Sequence, residues 1–134
     1  MTTKEILRTY KKIAVVGISN DPKRASNGVS RYMLRQGYEI IPVNPQIEEF
    51  EGIPAYPDLD SIPDEAGIEV VNIFRRPEHV PEVVEAAIRK GAKAIWMQLG
   101  VVNEEAAARA REAGLTVVMD QCILQEHMAQ SYDD

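Results

Sequence analysis

The chain has one cysteine, Cys122, in 134 residues. It cannot close an internal disulfide or assemble a multi-cysteine metal site, and the cytosol is the expected setting. It also lacks a basic excess: 15 Lys plus Arg stand against 21 Asp plus Glu, for a formal charge of −6. Nucleic-acid binders carry a cationic surplus to offset phosphates. Nucleic acid is therefore not an expected partner, and any phosphate site must be a local exception. No apolar run approaches the roughly 18–20 residues of a membrane span. The N-terminus, Met1-Thr2-Thr3-Lys4-Glu5, leads into no signal-peptide core. There is no HExxH, no DxD-like metal cluster and no GxSxG elbow. His79 and His127 lie far apart, so the sequence names no nucleophile–base pair. What is present suffices for one core: 45% of residues are hydrophobic, and the length suits a single domain over 1–134.

Short β-rich runs alternate with helical segments. Strands are expected over 12–18, ending at Gly17, and over 38–43, 70–74, 94–97 and 115–119. Their near-continuous apolar character suits a parallel sheet buried on both faces. Val80, Val83, Val84, Ala87 and Ile88 form one helical stripe. A second helix covers 103–113, with Asn103 as N-cap and two glutamates in its first turn. Ser26 is expected to cap a helix running to Gln36, and Thr2-x-x-Glu5 reads as the capping box of a short helix over 3–10. Gly37, Gly91 and Gly114 each stand where a left-handed residue would close a helix.

Residues 46–67 break the alternation. They hold seven acids, three prolines and no Lys or Arg, and read as a solvated surface excursion with one short helix near 58–62. The whole pattern predicts an α/β fold, a Rossmann-like, doubly wound parallel sheet of five strands in the order 3-2-1-4-5. Ligands of such sheets bind beyond the carboxyl ends of the strands, at the switch point, here expected between strands 1 and 4.

Five loops lie on that edge. The first runs from Gly17 through Ser19, Asn20, Lys23, Arg24, Ser26 and Asn27 to Gly28. A glycine turn, a helix start and two cations suit a phosphate, although Ser19 and Pro22 replace the later glycines of GxGxxG. The loop reads equally as an ordinary strand-to-helix connection. The second, Val43-Asn44-Pro45, places neutral Asn44 where NAD proteins carry an acid. The third, Phe74-Arg75-Arg76-Pro77, offers two guanidiniums suited to forked phosphate contacts. The fourth is Trp96-Met97-Gln98-Leu99-Gly100. The fifth, Asp120-Gln121-Cys122, sets a thiol at a helix start, where its pKa would fall, or buries it as a small hydrophobe. The residues alone point to an anionic, nucleotide-like ligand.

In order and spacing, these loops together resemble the CoA-binding domain family, the small Rossmann-type proteins related to the N-terminal domain of the succinyl-CoA synthetase alpha subunit. The resemblance covers about residues 5–130 and implies coenzyme A, or an acyl-CoA, lying across the carboxyl edge. It implies that Gly17, Ser19, Asn20, Lys23 and Arg24 hold phosphates together with the helix start at Ser26, Asn27 and Gly28. Val43, Asn44 and Pro45 would border the 3′-phospho-ADP end. Phe74, Arg75 and Arg76 would flank the pyrophosphate or the pantetheine arm, Met97, Gln98 and Leu99 would line the arm, and Cys122 would sit near the thiol. The phosphorylated histidine of the synthetase has no counterpart in His79 or His127, so the ligase reaction is not implied. The expected role is a non-catalytic carrier, sensor or partner module, with the protein partner unspecified. An NAD(P)- or acyl-CoA-using enzyme acting as an oligomer, and a redox sensor forming a Cys122–CoA disulfide, stand as alternatives.

Overall fold

The apolar runs form the strands of one parallel sheet in the computed structural model. The structure describes residues 1–133, with side chains through 130, so Asp134 of the expected domain lies outside the described residues. The strands are β1 (Lys12–Val16), β2 (Glu39–Val43), β5 (Val70–Ile73), β6 (Ala94–Met97) and β7 (Thr116–Val118). Two-residue strands β3 (Glu49–Phe50) and β4 (Ile53–Pro54) make a separate hairpin. The helices are α1 (Thr3–Thr9), α2 (Ala25–Arg35), α3 (Val80–Arg89), α4 (Glu104–Glu112) and α5 (Ile123–Asp133). No helix among the described residues is long and apolar enough to cross a membrane.

Strand side chains alternate between two cores. Ala14, Val16, Val71, Ile73, Ile95 and Met97 pack beneath α3 and α4, whereas Ile13, Val15, Val70, Ala94 and Trp96 pack beneath α1, α2 and α5. This is a doubly wound α/β sheet. The α3 stripe is buried as its spacing predicts, with Ile88 at the margin. Two of the three predicted caps are present: Thr2 and Glu5 close a reciprocal capping box, and Asn103 accepts from the Ala106 N–H at 2.9 Å. Gly37, Gly91 and Gly114 all adopt positive φ directly after a helix. Ser26 is not a cap. The helix begins at Ala25, two residues earlier than a Ser26 cap would place it, with Arg24 in the cap position and no side-chain cap. Ser26 instead turns inward and is buried.

The strand order differs from the expected 3-2-1-4-5. It is β2-β1-β5-β6-β7, so the third long strand lies beside the first instead of outside the second. Ile13 through Val16 pair with Val70 through Ile73 in parallel register. The cause lies in the 46–67 segment, which is more than a surface excursion. Phe50 is buried with the α2 side of the sheet, while Leu59 and Ile62, with Ile68 just after the segment, are buried with the α3 side. The segment thus wraps from one face to the other and delivers β5 across β1. Its seven acids are exposed, as solvation predicts. The short helix is a 3-10 turn at Leu59–Ser61, capped by Asp58. The switch point therefore falls between β1 and β5.

At the amino-terminal end of the sheet, the Tyr32 hydroxyl lies 2.7 Å from His127 Nδ1, and the Tyr32 and Tyr38 rings meet the imidazole edge-on. Burial, aided by the charge of Lys11, holds the His127 pKa below its ordinary 6.5. This imidazole fastens α5 to α2 and β2, away from the carboxyl edge. His79 is half-exposed beside Glu82 at the start of α3.

Candidate functional site

The corrected strand order brings the cationic loops together. Gly17 follows β1 and Phe74 follows β5, and the two backbones touch. A Cβ on Gly17 would lie 2.3 Å from the Phe74 carbonyl oxygen, and φ at Gly17 is +90°. Only glycine permits both the turn and the approach. Gly17→Ala should therefore cost about 1–3 kcal/mol from backbone strain, with the clash added, and chemical denaturation should show it. An unchanged midpoint would mean that the two loops can part freely.

A cleft follows the carboxyl edge in two lobes that share Gly17, Asn44, Phe74 and Arg75. The first, about 610 Å³, lies toward β2 and α3 and is walled by Val43, Asn44 and Pro45 together with Pro57, Asp58, Asp60, Glu82 and Arg89. The second, about 650 Å³, lies toward β6 and β7. Its walls include Ser19, Arg24 and Ser26 from the α2 side, Arg75 and Arg76 after β5, and Gln98, Leu99 and Cys122. The strand ends, about 4.8 Å apart, span about 19 Å, so the cleft suits an elongated ligand.

The electrostatics of the lobes differ. In the first, Arg89 is occupied: its Nε and Nη2 donate to Asp60 at 3.1 and 2.8 Å. That guanidinium holds the Asp60 carboxyl below its usual range. No carboxylate lines the second lobe. Among the described residues no hydrogen bond or ion pair engages the side chains of Arg24, Arg75 or Arg76. The uncapped start of α2, at Ala25 and Ser26, opens onto the same lobe and adds its dipole. In a chain of charge −6, three unengaged guanidiniums and a helix start converge on one place.

Several expected residues lie outside the cleft walls or have polar groups committed to the protein itself. Asn20 Nδ2 donates to the Glu49 carbonyl at 2.8 Å, and buried Asn27 donates to the Ser19 carbonyl at 3.0 Å. Ser19 Oγ accepts from Asp21 N–H, and Asp21 accepts from Lys23 N–H, which folds the loop on itself. Lys23 is exposed outside the walls, and Gly28 faces open space on the first turn of α2. Met97 is fully buried on the α3–α4 side, since strand alternation turns it from the cleft, and its carbonyl accepts from Gln121 N–H. Asn44 lines both lobes, but its side chain is spent: Nδ2 donates to the Ile18 carbonyl at 2.7 Å and Oδ1 accepts from Gln46 N–H.

The β7 side is clasped to β6. Asp120, at φ +61°, accepts the Gly100 N–H at 2.7 Å, and Trp96 Nε1 donates to the Gln121 carbonyl at 2.8 Å. Gln98 Nε2 donates to buried Asn72 on β5 at 2.8 Å. Cys122 is a free thiol, 9% exposed. Sequence reasoning missed Pro57, Asp58, Asp60 and Arg89. The available signal was the isolated apolar pair Leu59 and Ile62 amid the acids, which marks a segment that packs against the sheet.

A family model described as CoA binding domain matches residues 11–128. The chain belongs to the CoA-binding domain family. YneT of Bacillus subtilis (strain 168), an uncharacterized protein, is 48% identical over 124 residues, covering 92% of this chain and 90% of that protein. A hypothetical protein from Pyrococcus horikoshii OT3 superposes with a TM-score of 0.90 at 45% identity, covering 96% of this chain and 92% of its own. The alpha subunit of an ADP-forming acetate–CoA ligase II from Pyrococcus furiosus is 28% identical over 83% of this chain, which spans 26% of that subunit. A Korarchaeum dinucleotide-forming acetyl-coenzyme A synthetase shares the fold at a TM-score of 0.74 and 26% identity over 87% of this chain and 27% of its own. Membership in this family supports a CoA-related role.

Proposed function

We propose that this CoA-binding domain holds coenzyme A or an acyl-CoA along the carboxyl edge of its sheet, as a binding module in place of a catalyst. The observation that carries the reading is the convergence of Arg24, Arg75 and Arg76, all unengaged, on the uncapped start of α2 beside the β1–β5 switch point. The pyrophosphate lies there, with forked contacts from the guanidiniums. The adenosine occupies the lobe bounded by Val43, Asn44 and Pro45. The pantetheine arm runs past Gln98 and Leu99 toward Cys122. Asn44 supports this over a dinucleotide reading, because its side chain is committed to the protein backbone and carries no charge for ribose hydroxyls.

Calorimetry tests the proposal. CoA should bind at one site per chain and at least tenfold more tightly than AMP, which lacks the pyrophosphate and the arm, and rising salt should weaken it. Equal affinity for CoA and AMP would overturn the proposal.

A further inference from the structure

The exposed large apolar side chains among the described residues are Met1, Leu99, Val102 and Met128. Single exposed apolar residues are ordinary. Two of these four, however, fall three residues apart in the loop after β6, with Leu99 57% and Val102 42% exposed. The turn is held in place: Val101 between them points inward and is buried, and Asp120 clasps the Gly100 N–H. Leu99 is thus displayed at the cleft mouth by a fixed backbone. Leu99 lines the second lobe together with Val101, Cys122 and Phe74, and Val102 stands just outside that lining. An exposed apolar side chain at the mouth of a lobe with apolar lining residues offers a surface to the apolar part of a ligand.

Charge decides which part of a ligand reaches it. With phosphates held by the guanidiniums above β1 and β5, the remainder of the molecule extends in two directions. Toward β2 the walls carry Asp58, Asp60 and Glu82 with the paired Arg89, a polar lining that suits the base and ribose of a nucleotide and not an apolar chain. Toward β7 the walls carry no carboxylate and end at Leu99. We infer that the Leu99–Val102 lip receives the acyl chain of a CoA thioester, so that the preferred ligand is an acyl-CoA with an apolar chain of several carbons. This rests on the CoA reading of the cleft and specifies its substrate class.

The test is a calorimetric series of CoA, acetyl-CoA, butyryl-CoA and hexanoyl-CoA. Full burial of a methylene corresponds to about fourfold in affinity, and a lip open on one side should return about half of that free energy, or about twofold per methylene. Hexanoyl-CoA should therefore bind roughly 10–20-fold more tightly than acetyl-CoA. The Leu99→Ser, Val102→Ser double variant should reduce that ratio to below about threefold. Equal affinities along the series, with CoA itself bound, overturn the acyl inference and leave the CoA reading intact. Failure of every member to bind defeats the CoA reading and the inference with it. If sedimentation shows that the double variant splits a dimer while the chain-length ratio is unchanged, the lip belongs to a second copy of the chain and the inference falls.

Discussion

Replacing Trp96 with alanine should lower the unfolding free energy by about 3–5 kcal/mol. Trp96 is fully buried at the centre of the α1–α2–α5 core and is the largest such side chain among the described residues. Its loss leaves a cavity that the flanking β5 and β7 strands cannot collapse to fill. It also removes the indole donor to the Gln121 carbonyl, which leaves that acceptor unpaired at a cost of about 1–3 kcal/mol if it stays dry. Trp96→Phe separates the two effects, since it retains much of the volume and none of the hydrogen bond. Urea unfolding of both variants is the measurement. Because Gln121 precedes Cys122, both variants should also loosen the β7 end of the cleft. A loss below about 1 kcal/mol in the alanine variant would show that the two elements are not fastened through this ring.

The second large effect concerns affinity. Arg24→Ala, Arg75→Ala and Arg76→Ala should each weaken CoA by about 1.5–3 kcal/mol, the range for hydrogen bonds to charged groups. Their combination should not sum, because neighbours acting on one anion are coupled. Stability should move by no more than about 0.5 kcal/mol, since these side chains make no ion pair to lose. Arg75→Lys should recover only part of the affinity, because an ammonium lacks the planar fork. Arg89→Ala is the contrast: its guanidinium is already paired with Asp60 and should contribute little to binding the pyrophosphate. Calorimetry on these variants checks the ranking. An Arg89 effect as large as that of Arg75 would place the pyrophosphate in the first lobe and contradict the assignment.

The five long strands were legible because each is an apolar run bounded by glycine, proline or a charged turn. The helices were legible where either a periodic stripe or a cap marked them, the stripe from Val80 to Ile88 and the cap at Asn103. The strand order was not. It depends on where residues 44–69 pack, and Phe50, Leu59, Ile62 and Ile68 are too sparse among acids to show a period. Ser26 looked like a cap because its residue type favours one, yet the start of α2 remains uncapped and Ser26 packs inward. The site was half legible. Loops at strand ends could be read from the alternation, and Arg75 and Arg76 stood out against an acidic chain. Asp58, Asp60 and Arg89 reach the cleft only through the wrapping segment and the far end of α3, which no local pattern reports. The roles of Asn20, Asn27 and Asn44 as struts depend on carbonyl positions that exist only in the fold.

The structure of the protein crystallised with CoA is the most direct test of the account. Pyrophosphate oxygens should lie within hydrogen-bonding distance of the Arg24, Arg75 or Arg76 guanidiniums at the β1–β5 crevice, with the arm directed past Gln98 toward Cys122. Phosphates seated on the amino-terminal edge, or on the outer face of α3 and α4, would contradict it.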